Sequence, residues 1–378
     1  MTAPPIPFNR TRMAGREIEY IRQAVEAAHL SGDGEFTRRC HALLETLLPQ
    51  ARVLLTTSCT HALEMAALLL NIAPGDEVIL PSFTFVSTAN AFVLRGARPI
   101  FADSRADTLN LDETKLDALI TPRTRAIVAV HYAGVACDMD ALQARAVRHG
   151  LSIVEDNAHG LFGAYRGRPL GTFGQIGTLS FHETKNITCG EGGAIVLNDP
   201  ALWDRAEVIR EKGTNRSRFF RGAVDKYTWV DLGSSYLPSE MLAAFLCAQL
   251  EAREEIQARR RALWTAYATG LADWARRNDV RLPIVPGTCT QAFHLFYLLM
   301  PDAETRDRFL AHMRAHQVTA IFHYLPLHLS PMGRRWGGAT GDCPVAERIS
   351  ETLVRLPLSP GLSDDEQTRV LDAVRSFR

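Results

Sequence analysis

Short apolar runs alternate with helix-forming segments from residue 52 to about residue 200, and this alternation limits the possible folds more than any other feature. The apolar runs cover residues 53–57, 77–80, 98–102, 126–130 and 151–154. Segments rich in Ala and Leu, such as 62–70 and 139–148, lie between them. Strands separated by helices imply right-handed crossovers and a mainly parallel sheet covered on both faces. We therefore expect an α/β fold that binds its ligands at the carboxyl ends of the strands.

The segments that flank this alternation have a different character. Residues 16–48 carry two helix-like segments separated by a turn at 31–34, and residues 213–237 are polar, aromatic and irregular. Such an irregular segment is too long for a simple connection.

The C-terminal part predicts a second, smaller unit. A helical stretch from about 239 to 273 is followed by a strand at 293–300, a helix at 303–316 and two closing helices. We expect an N-terminal arm and a large domain over residues 1–250, and a small α+β domain over residues 251–378.

Composition excludes several classes of function. The chain has 378 residues with 42 basic and 42 acidic side chains, so neither a nucleic-acid nor a membrane-surface partner is indicated. No apolar segment approaches the roughly 18 residues that span a bilayer, and the N-terminus lacks a secretory signal. The seven cysteines include no Cys-x-x-Cys pair, and no histidine motif suggests a metal site. We expect a cytoplasmic protein without a metal.

The first candidate motif is Ser58-Cys59-Thr60-His61, which lies between a predicted strand and a predicted helix. Backbone N–H groups at a helix start, aided by the helix dipole, form a phosphate site. The Thr60 hydroxyl can add to it. The alternative is that Ser58 only caps the helix, which is the commoner role for an isolated match.

The second motif is the acid at the end of the strand 151–154, in the sequence Glu155-Asp156-Asn157-Ala158-His159. An acid there faces the ligand region of the sheet. Set against a protonated pyridine nitrogen, it would keep such a ring able to accept electrons. Taken alone, Asp156 is equally consistent with a helix cap or with a residue of a surface turn.

The third motif places Ser180 at the end of a short strand, Lys185 in the turn beyond it, and Gly-Glu-Gly-Gly at 190–193. Lysine forms imines with carbonyl cofactors, and its pKa falls readily when it is desolvated. A solvated surface lysine is the alternative, but the neighbouring Ser180 and the spacing to Asp156 favour a functional role.

In this order the three motifs resemble the sugar-nucleotide aminotransferase family, whose members use pyridoxal 5′-phosphate (PLP) on the aspartate-aminotransferase fold. The resemblance runs from residues 7–10 to residues 356–358 and implies a seven-stranded type of sheet. Longer strings are most similar to the transaminases that make dTDP-4-amino-4,6-dideoxygalactose for enterobacterial common antigen; they lie at 12–15, 32–40, 130–137, 181–186 and 211–216.

The resemblance also implies residue roles. Lys185 matches the lysine that bonds the cofactor and moves the proton, and Asp156 matches the partner of the pyridine nitrogen. The remaining matches are His159 at the ring's phenolic oxygen, Phe85 stacked on the ring, Cys59, Thr60 and Ser180 at the phosphate, and His328 at the substrate.

Two departures from the family pattern concern the phosphate. Cys59 stands where most relatives have glycine, and residues 233–237 lack the Asn and Arg that usually reach the neighbouring subunit's phosphate. Ser235, or Asn215 with Arg216, is the candidate replacement. The resemblance implies a homodimer with shared active sites, and residues 213–237 are the candidate crossing segment.

The implied reaction moves the amino group of L-glutamate to C4 of dTDP-4-dehydro-6-deoxy-D-glucose. The products would be 2-oxoglutarate and dTDP-4-amino-4,6-dideoxy-D-galactose. A UDP-linked or C3-keto sugar stays open as the substrate, and so does a non-catalytic PLP-binding regulator. A PLP-dependent sugar dehydratase is disfavoured, because that group carries histidine at the position of Lys185.

Overall fold

A computed structural model describes residues 4–378 of the chain. The strands of these residues are, in chain order, β1 (Arg52–Thr56), β2 (Glu77–Pro81), β3 (Arg98–Ala102), β4 (Thr124–Val130), β5 (Ser152–Asp156), β6 (Ala164–Tyr165), β7 (Arg168–Pro169), β8 (Ile176–Ser180), β9 (Gly193–Leu197), β10 (Cys289–Thr290), β11 (Phe296–Leu299) and β12 (Leu353–Leu356).

The helices of the same residues are α1 (Glu17–Glu26), α2 (Glu35–Leu47), α3 (Cys59–Leu69), α4 (Val86–Val93), α5 (Met139–His149), α6 (Trp203–Arg210), α7 (Arg216–Phe220), α8 (Glu240–Glu251), α9 (Arg253–Arg277), α10 (Ala303–Ala315), α11 (Pro331–Arg335), α12 (Pro344–Thr352) and α13 (Asp364–Ser376). The expected alternation of strands and helices is confirmed up to β5, whereas β6, β7, β8 and β9 follow β5 without an α-helix between them.

A seven-stranded sheet with the order β1-β9-β8-β5-β4-β2-β3 forms the centre of the large region. Strands β8, β5, β4, β2 and β3 pair in parallel, whereas β9 runs antiparallel to both of its neighbours. The predicted α/β class with a mainly parallel sheet is confirmed. The carboxyl ends of β4 and β5 therefore open on the same edge of the sheet, where a ligand is expected.

Side chains of the sheet alternate between two cores because successive strand residues face opposite sides. Leu54 packs in the core that contains α3 and α4. Its neighbours Val53 and Leu55 pack on the opposite face, against α2 and α8. Burial on both faces explains why the strands are mainly apolar, as the sequence runs suggested.

The helical stretch predicted from 239 to 273 is interrupted at Ala252, so this expectation is corrected. Helix α8 packs on the sheet, whereas Leu263 and Tyr267 of α9 belong to a separate core with α10, α13, β11 and β12. The break at Ala252 separates a helix that packs on the sheet from one that packs mainly in the C-terminal core.

Two other expectations need adjustment in the C-terminal part. Strand β11 starts at Phe296 and not at Phe293, because Phe293 has a left-handed backbone (φ 53°). Ile6 pairs with Val318 and is buried in the C-terminal core. The domain boundary between residues 250 and 251 stays a prediction. Ile6 belongs to the N-terminal arm in sequence but packs in the core of the C-terminal region.

Candidate active site

A cavity of about 640 Å³ opens at the carboxyl ends of the central strands. Its wall includes Val130 and Asp156, the last residues of β4 and β5, and the beginnings of α3 and α4. The turn after β8 and segments of the C-terminal region close the other sides. The cavity brings together these predicted site residues: Cys59, Thr60, Phe85, Asp156, His159, Ser180 and Lys185.

Helix α3 starts directly at the cavity wall. Ser58 is its N-cap, and the Ser58 hydroxyl accepts a hydrogen bond from the His61 amide at 3.1 Å. Gly193 makes the close packing possible, because a Cβ there would lie 2.3 Å from the Ser58 carbonyl carbon. The first amides of a helix have no carbonyl partner within it. Both interpretations of the motif therefore coexist: Ser58 caps the helix, and the next amides remain available for an anion.

Hydroxyl groups surround this helix start. Thr60 Oγ1 lies 2.8 Å from the Ser87 hydroxyl, and Ser180 lines the same cavity from the end of β8. The Cys59 thiol lies 3.5 Å from Thr178 Oγ1. Burial raises the pKa of Cys59, so its thiol stays protonated and adds no negative charge to an anion site.

Asp156 ends β5 with its carboxylate almost fully buried at the cavity. Thr88 on α4 donates its hydroxyl to Asp156 Oδ2 at 2.7 Å, and the Ala158 amide donates to Oδ1 at 3.3 Å. Thr84 lies 2.9 Å from the Thr88 hydroxyl and completes the short chain of hydroxyls. The carboxylate is thus oriented, and no cation of residues 4–378 forms an ion pair with it.

Lys185 lies in the turn after β8, where its backbone amide donates to the His182 carbonyl at 2.9 Å. Burial in the cavity lowers the pKa of its amine to about 8, although the nearby Asp156 opposes this shift. Within the described residues the amine has no ion-pair partner, so it is available to react with a carbonyl group.

His159 forms one wall of the cavity and stacks on His294 with ring centroids 4.3 Å apart. Burial lowers the pKa of both imidazoles, which keeps them neutral. His159 Nδ1 is buried and has no hydrogen-bond partner within residues 4–378. A buried polar nitrogen without a partner indicates that a ligand completes this site.

Phe85 precedes α4, lines the cavity and is 54% exposed. Its ring centroid lies 6.2 Å from that of Tyr324. A large exposed ring beside a cavity is available to cover a planar ligand.

His328 does not reach the cavity, and its predicted contact with substrate is corrected. The ring is fully buried, with Nδ1 2.6 Å from the Ser82 hydroxyl and Nε2 3.0 Å from Glu347 Oε1. Because both ring nitrogens are engaged, His328 holds the segment after residue 326 against the end of β2.

Asn215 and Ser235 also lie outside the cavity of this chain. Asn215 bonds the backbone of Lys226 and Thr228, and Ser235 is exposed beside Glu211. Their expected contacts with a neighbouring subunit therefore stay predictions.

Several residues that line the cavity were not predicted from the sequence. They come mainly from the C-terminal region and the N-terminal arm: Phe8, Asn9, His294, His323, Tyr324 and Arg355. The sequence offered one signal for His294, namely a polar residue, Asn186, directly after Lys185. In the structure Asn186 Oδ1 lies 2.9 Å from His294 Nδ1.

Residues 11–375 match the model of the DegT/DnrJ/EryC1/StrS aminotransferase family. The chain belongs to this family. Spore coat polysaccharide biosynthesis protein SpsC of Bacillus subtilis (strain 168) is 32% identical over 380 residues, which cover 98% of this chain and 97% of SpsC.

Solved structures agree with this assignment. DesV of S. venezuelae, in complex with a ketimine intermediate, matches with a TM-score of 0.90 and 32% identity over 99% of each chain. The aminotransferase TlmJ from Streptoalloteichus hindustanus matches with a TM-score of 0.89 and 31% identity over 98% of each chain. The protein is therefore a sugar aminotransferase that depends on PLP, and the predicted fold and cofactor are confirmed.

The chemical groups in the cavity independently fit PLP. It combines a reactive amine at Lys185, a carboxylate at Asp156 and a helix start with unpaired amides, and His159 Nδ1 needs a partner. These groups suit a carbonyl, a pyridine nitrogen, a phosphate and a phenolic oxygen, respectively. Among residues 4–378, no group of His, Cys, Asp and Glu suits a metal, and no helix is long and apolar enough to cross a bilayer.

Proposed function

We propose that this aminotransferase moves the amino group of L-glutamate to C4 of dTDP-4-dehydro-6-deoxy-D-glucose. The products are 2-oxoglutarate and dTDP-4-amino-4,6-dideoxy-D-galactose. The observation that carries the chemistry is the amine of Lys185, with its lowered pKa, in the same cavity as the oriented carboxylate of Asp156. When bound, PLP carries the amino group between the substrates and accepts the electrons left by the departing α-proton.

Lys185 acts as the base of both half-reactions in this proposal. With a pKa of about 8, about a tenth of its amine is neutral at pH 7, far more than for an ordinary lysine, and this neutral amine can accept a proton from the donor's α-carbon. Once protonated, the Lys185 amine would return that proton to C4′ of the cofactor. In the second half-reaction, with the sugar ketone in place of the amino acid, Lys185 would move the proton in the opposite direction, from C4′ of the cofactor to C4 of the sugar.

Asp156 and the start of α3 hold the two ends of the cofactor. The hydrogen bond from Thr88 keeps Asp156 in one orientation, so its negative charge can stabilise a protonated pyridine nitrogen. The α3 amides, with the hydroxyls of Thr60 and Ser180, suit the phosphate. We assign His159 to the phenolic oxygen and Phe85 to the face of the ring.

The choice of sugar rests on sequence similarity. Strings such as 32–40 and 181–186 resemble the transaminases that make dTDP-4-amino-4,6-dideoxygalactose. A UDP-linked sugar, or one with its ketone at C3, is the second candidate.

A homodimer completes the site in this proposal. The segment 213–237 presents several exposed apolar side chains, among them Phe220 (71% exposed) and Trp229 (72% exposed). Exposed aromatic side chains in one segment are typical of protein interfaces. We assign the phosphate of the neighbouring subunit to Ser235 of this segment, or to Asn215 with Arg216.

The absorbance spectrum of the purified holoenzyme tests the proposal. L-Glutamate should bleach the yellow band of the lysine-bound cofactor, and dTDP-4-dehydro-6-deoxy-D-glucose should restore it. Bleaching without recovery would reject this sugar and retain the donor. The matched control is the UDP-linked 4-keto sugar, which should restore the band far more slowly.

A further inference from the structure

The segment 292–294 reaches the active-site cavity with a strained backbone. Phe293 has a left-handed conformation (φ 53°), which is uncommon for a residue other than glycine. Such strain persists only where the surrounding structure holds it, and it is concentrated at functional sites. The side chain that follows the strained residue is the buried imidazole of His294, which lines the cavity.

Hydrogen bonds from two sides hold this segment in place. Asn186 Nδ2 donates to the Ala292 carbonyl at 2.6 Å. The fully buried Arg260 donates to the carbonyl of Phe293 at 3.0 Å and also to the carbonyl of His294. The backbone on both sides of the strained residue is therefore fixed, and the position of the His294 ring follows from it.

The side chain of Asn186 also determines where the proton of the His294 ring lies. Because Asn186 Nδ2 donates to the Ala292 carbonyl, the amide atom that lies 2.9 Å from His294 Nδ1 is the oxygen. An amide oxygen only accepts hydrogen bonds, so Nδ1 of His294 carries the proton. The ring is thus anchored to the residue that directly follows Lys185 in the chain.

His294 stacks on His159, with ring centroids 4.3 Å apart and ring planes inclined by 25°. Burial lowers the pKa of both imidazoles, so both are neutral near neutral pH. Basic side chains near His294 also lower its pKa; they are Lys185, Arg260 and Arg355. The two rings therefore form an uncharged stack in a positively charged environment.

The position of the His159 ring depends on this packing. Nδ1 of His159 has no hydrogen-bond partner within the described residues. The ring centroids of Tyr132 and His323 lie 5.8 and 6.1 Å from that of His159, so His294 is its closest aromatic neighbour.

We propose that His294 is a positioning residue for His159. By stacking, it holds the His159 imidazole in the orientation that donates a hydrogen bond to the phenolic oxygen of PLP. The inference rests on the proposed function, in which His159 is assigned to that oxygen. Asn186 anchors the stack, and it thereby links the position of His159 to the chain segment that carries Lys185.

The pH midpoint of the absorbance band of the lysine-bound cofactor tests this role. The proton that is titrated is shared by the nitrogen of Lys185 and the phenolic oxygen, so a hydrogen bond donated to that oxygen lowers the midpoint. His294→Asn keeps a donor for Asn186 but removes the stacked ring, and we expect the midpoint to rise by about one pH unit. His294→Phe keeps a ring and should retain the wild-type midpoint. An unchanged midpoint in His294→Asn would overturn the proposal.

His316→Asn is the matched control, because His316 stacks on His312 with ring centroids 4.2 Å apart but is exposed on α10 and outside the cavity. Its midpoint should equal that of the wild type. His159→Leu separates the positioning role from the assignment on which it rests, and it should raise the midpoint at least as far as His294→Asn. If His159→Leu has no effect, the assignment of His159 fails and the proposal fails with it. If His294→Asn alone has no effect, only the positioning role is overturned.

Binding of two ligands to the cofactor-free protein distinguishes positioning from a general loss of structure. 3-Deoxypyridoxal 5′-phosphate lacks the phenolic oxygen and is otherwise the same as PLP. The ratio of its Kd to the Kd of PLP should fall by about fivefold in His294→Asn and should stay at the wild-type value in His294→Phe. Equal weakening of both ligands would mean that the variant only loosens the cavity, and it would contradict the proposal. If His294→Asn does not fold, Asn186→Ala takes its place in both measurements, because it removes the acceptor that holds the His294 ring.

Discussion

The hydroxyl of Thr88 donates a hydrogen bond of 2.7 Å to Asp156 Oδ2 and so links the first turns of α4 to the end of β5. Both residues are buried, and Thr84 supports the hydroxyl from 2.9 Å. The carboxylate that we assign to the pyridine nitrogen is therefore oriented by a residue that lies 68 positions earlier in the chain.

Thr88→Val keeps the shape of the side chain but removes this donor. We expect the Kd for PLP to rise by about fivefold to tenfold, because one hydrogen bond to a charged group is lost. Titration of the cofactor-free protein with PLP, followed by fluorescence, measures the change. Thr88→Ser retains the hydroxyl and should bind like the wild type. An unchanged Kd in the valine variant would argue against a role for Thr88 in orienting Asp156.

Asp156→Asn is nearly isosteric and removes the negative charge. We expect turnover to fall by about 100-fold or more, because the pyridine nitrogen loses the anion that keeps it protonated. Initial rates with saturating L-glutamate and sugar measure the effect, and far-ultraviolet circular dichroism controls for folding. Turnover at the wild-type level would refute our assignment of Asp156.

Lys185→Met should abolish turnover. Among the described residues that line the cavity, Lys185 alone has a primary amine, and its pKa is lowered. The variant should still bind PLP through the phosphate site and Asp156, but without the absorbance band of the lysine-bound cofactor. Lys212→Met is the control, since Lys212 is exposed and outside the cavity. Measurable transamination by the Lys185 variant would contradict the mechanism.

His328 provides a test of the corrected assignment. His328→Ala leaves Ser82 and Glu347 without their buried partner, so we expect the free energy of unfolding to fall by about 1–3 kcal/mol. The KM for the sugar should stay close to the wild-type value, because His328 does not line the cavity. Urea denaturation and steady-state kinetics separate the two effects. A stable variant with a raised KM would restore the substrate role.

The sequence alone could predict the part of the site that comes from the central sheet. Asp156 and Ser180 end strands, and Lys185 follows one, so the parallel topology places them at one edge. Arg355 could not be predicted in the same way, because it reaches the cavity only when the C-terminal region docks. That docking depends on contacts such as those of Ile6 in the C-terminal core, which no local pattern specifies.

The pH dependence of stability tests the environment of Lys185 in the cofactor-free protein. Burial lowers the pKa of its amine from the usual 10.5 to about 8. Between these values the unfolded chain binds more protons than the folded chain, so the contribution of Lys185 to the free energy of unfolding rises with pH across this window. The shift corresponds to a cost of about 3 kcal/mol below pH 8, where the buried amine is charged. Lys185→Met removes this cost.

We therefore expect the cofactor-free Lys185→Met protein to gain stability over the wild type mainly at pH 7. The advantage should shrink by about 3 kcal/mol between pH 8 and pH 10.5, where the folded wild type already holds a neutral amine. Urea denaturation of both proteins at several pH values across this range measures the difference. Curves that stay parallel from pH 7 to pH 10.5 would mean that the amine of Lys185 keeps its ordinary pKa. It would then be a weaker base for the proposed proton transfers, because little of it would be neutral at the pH of the reaction.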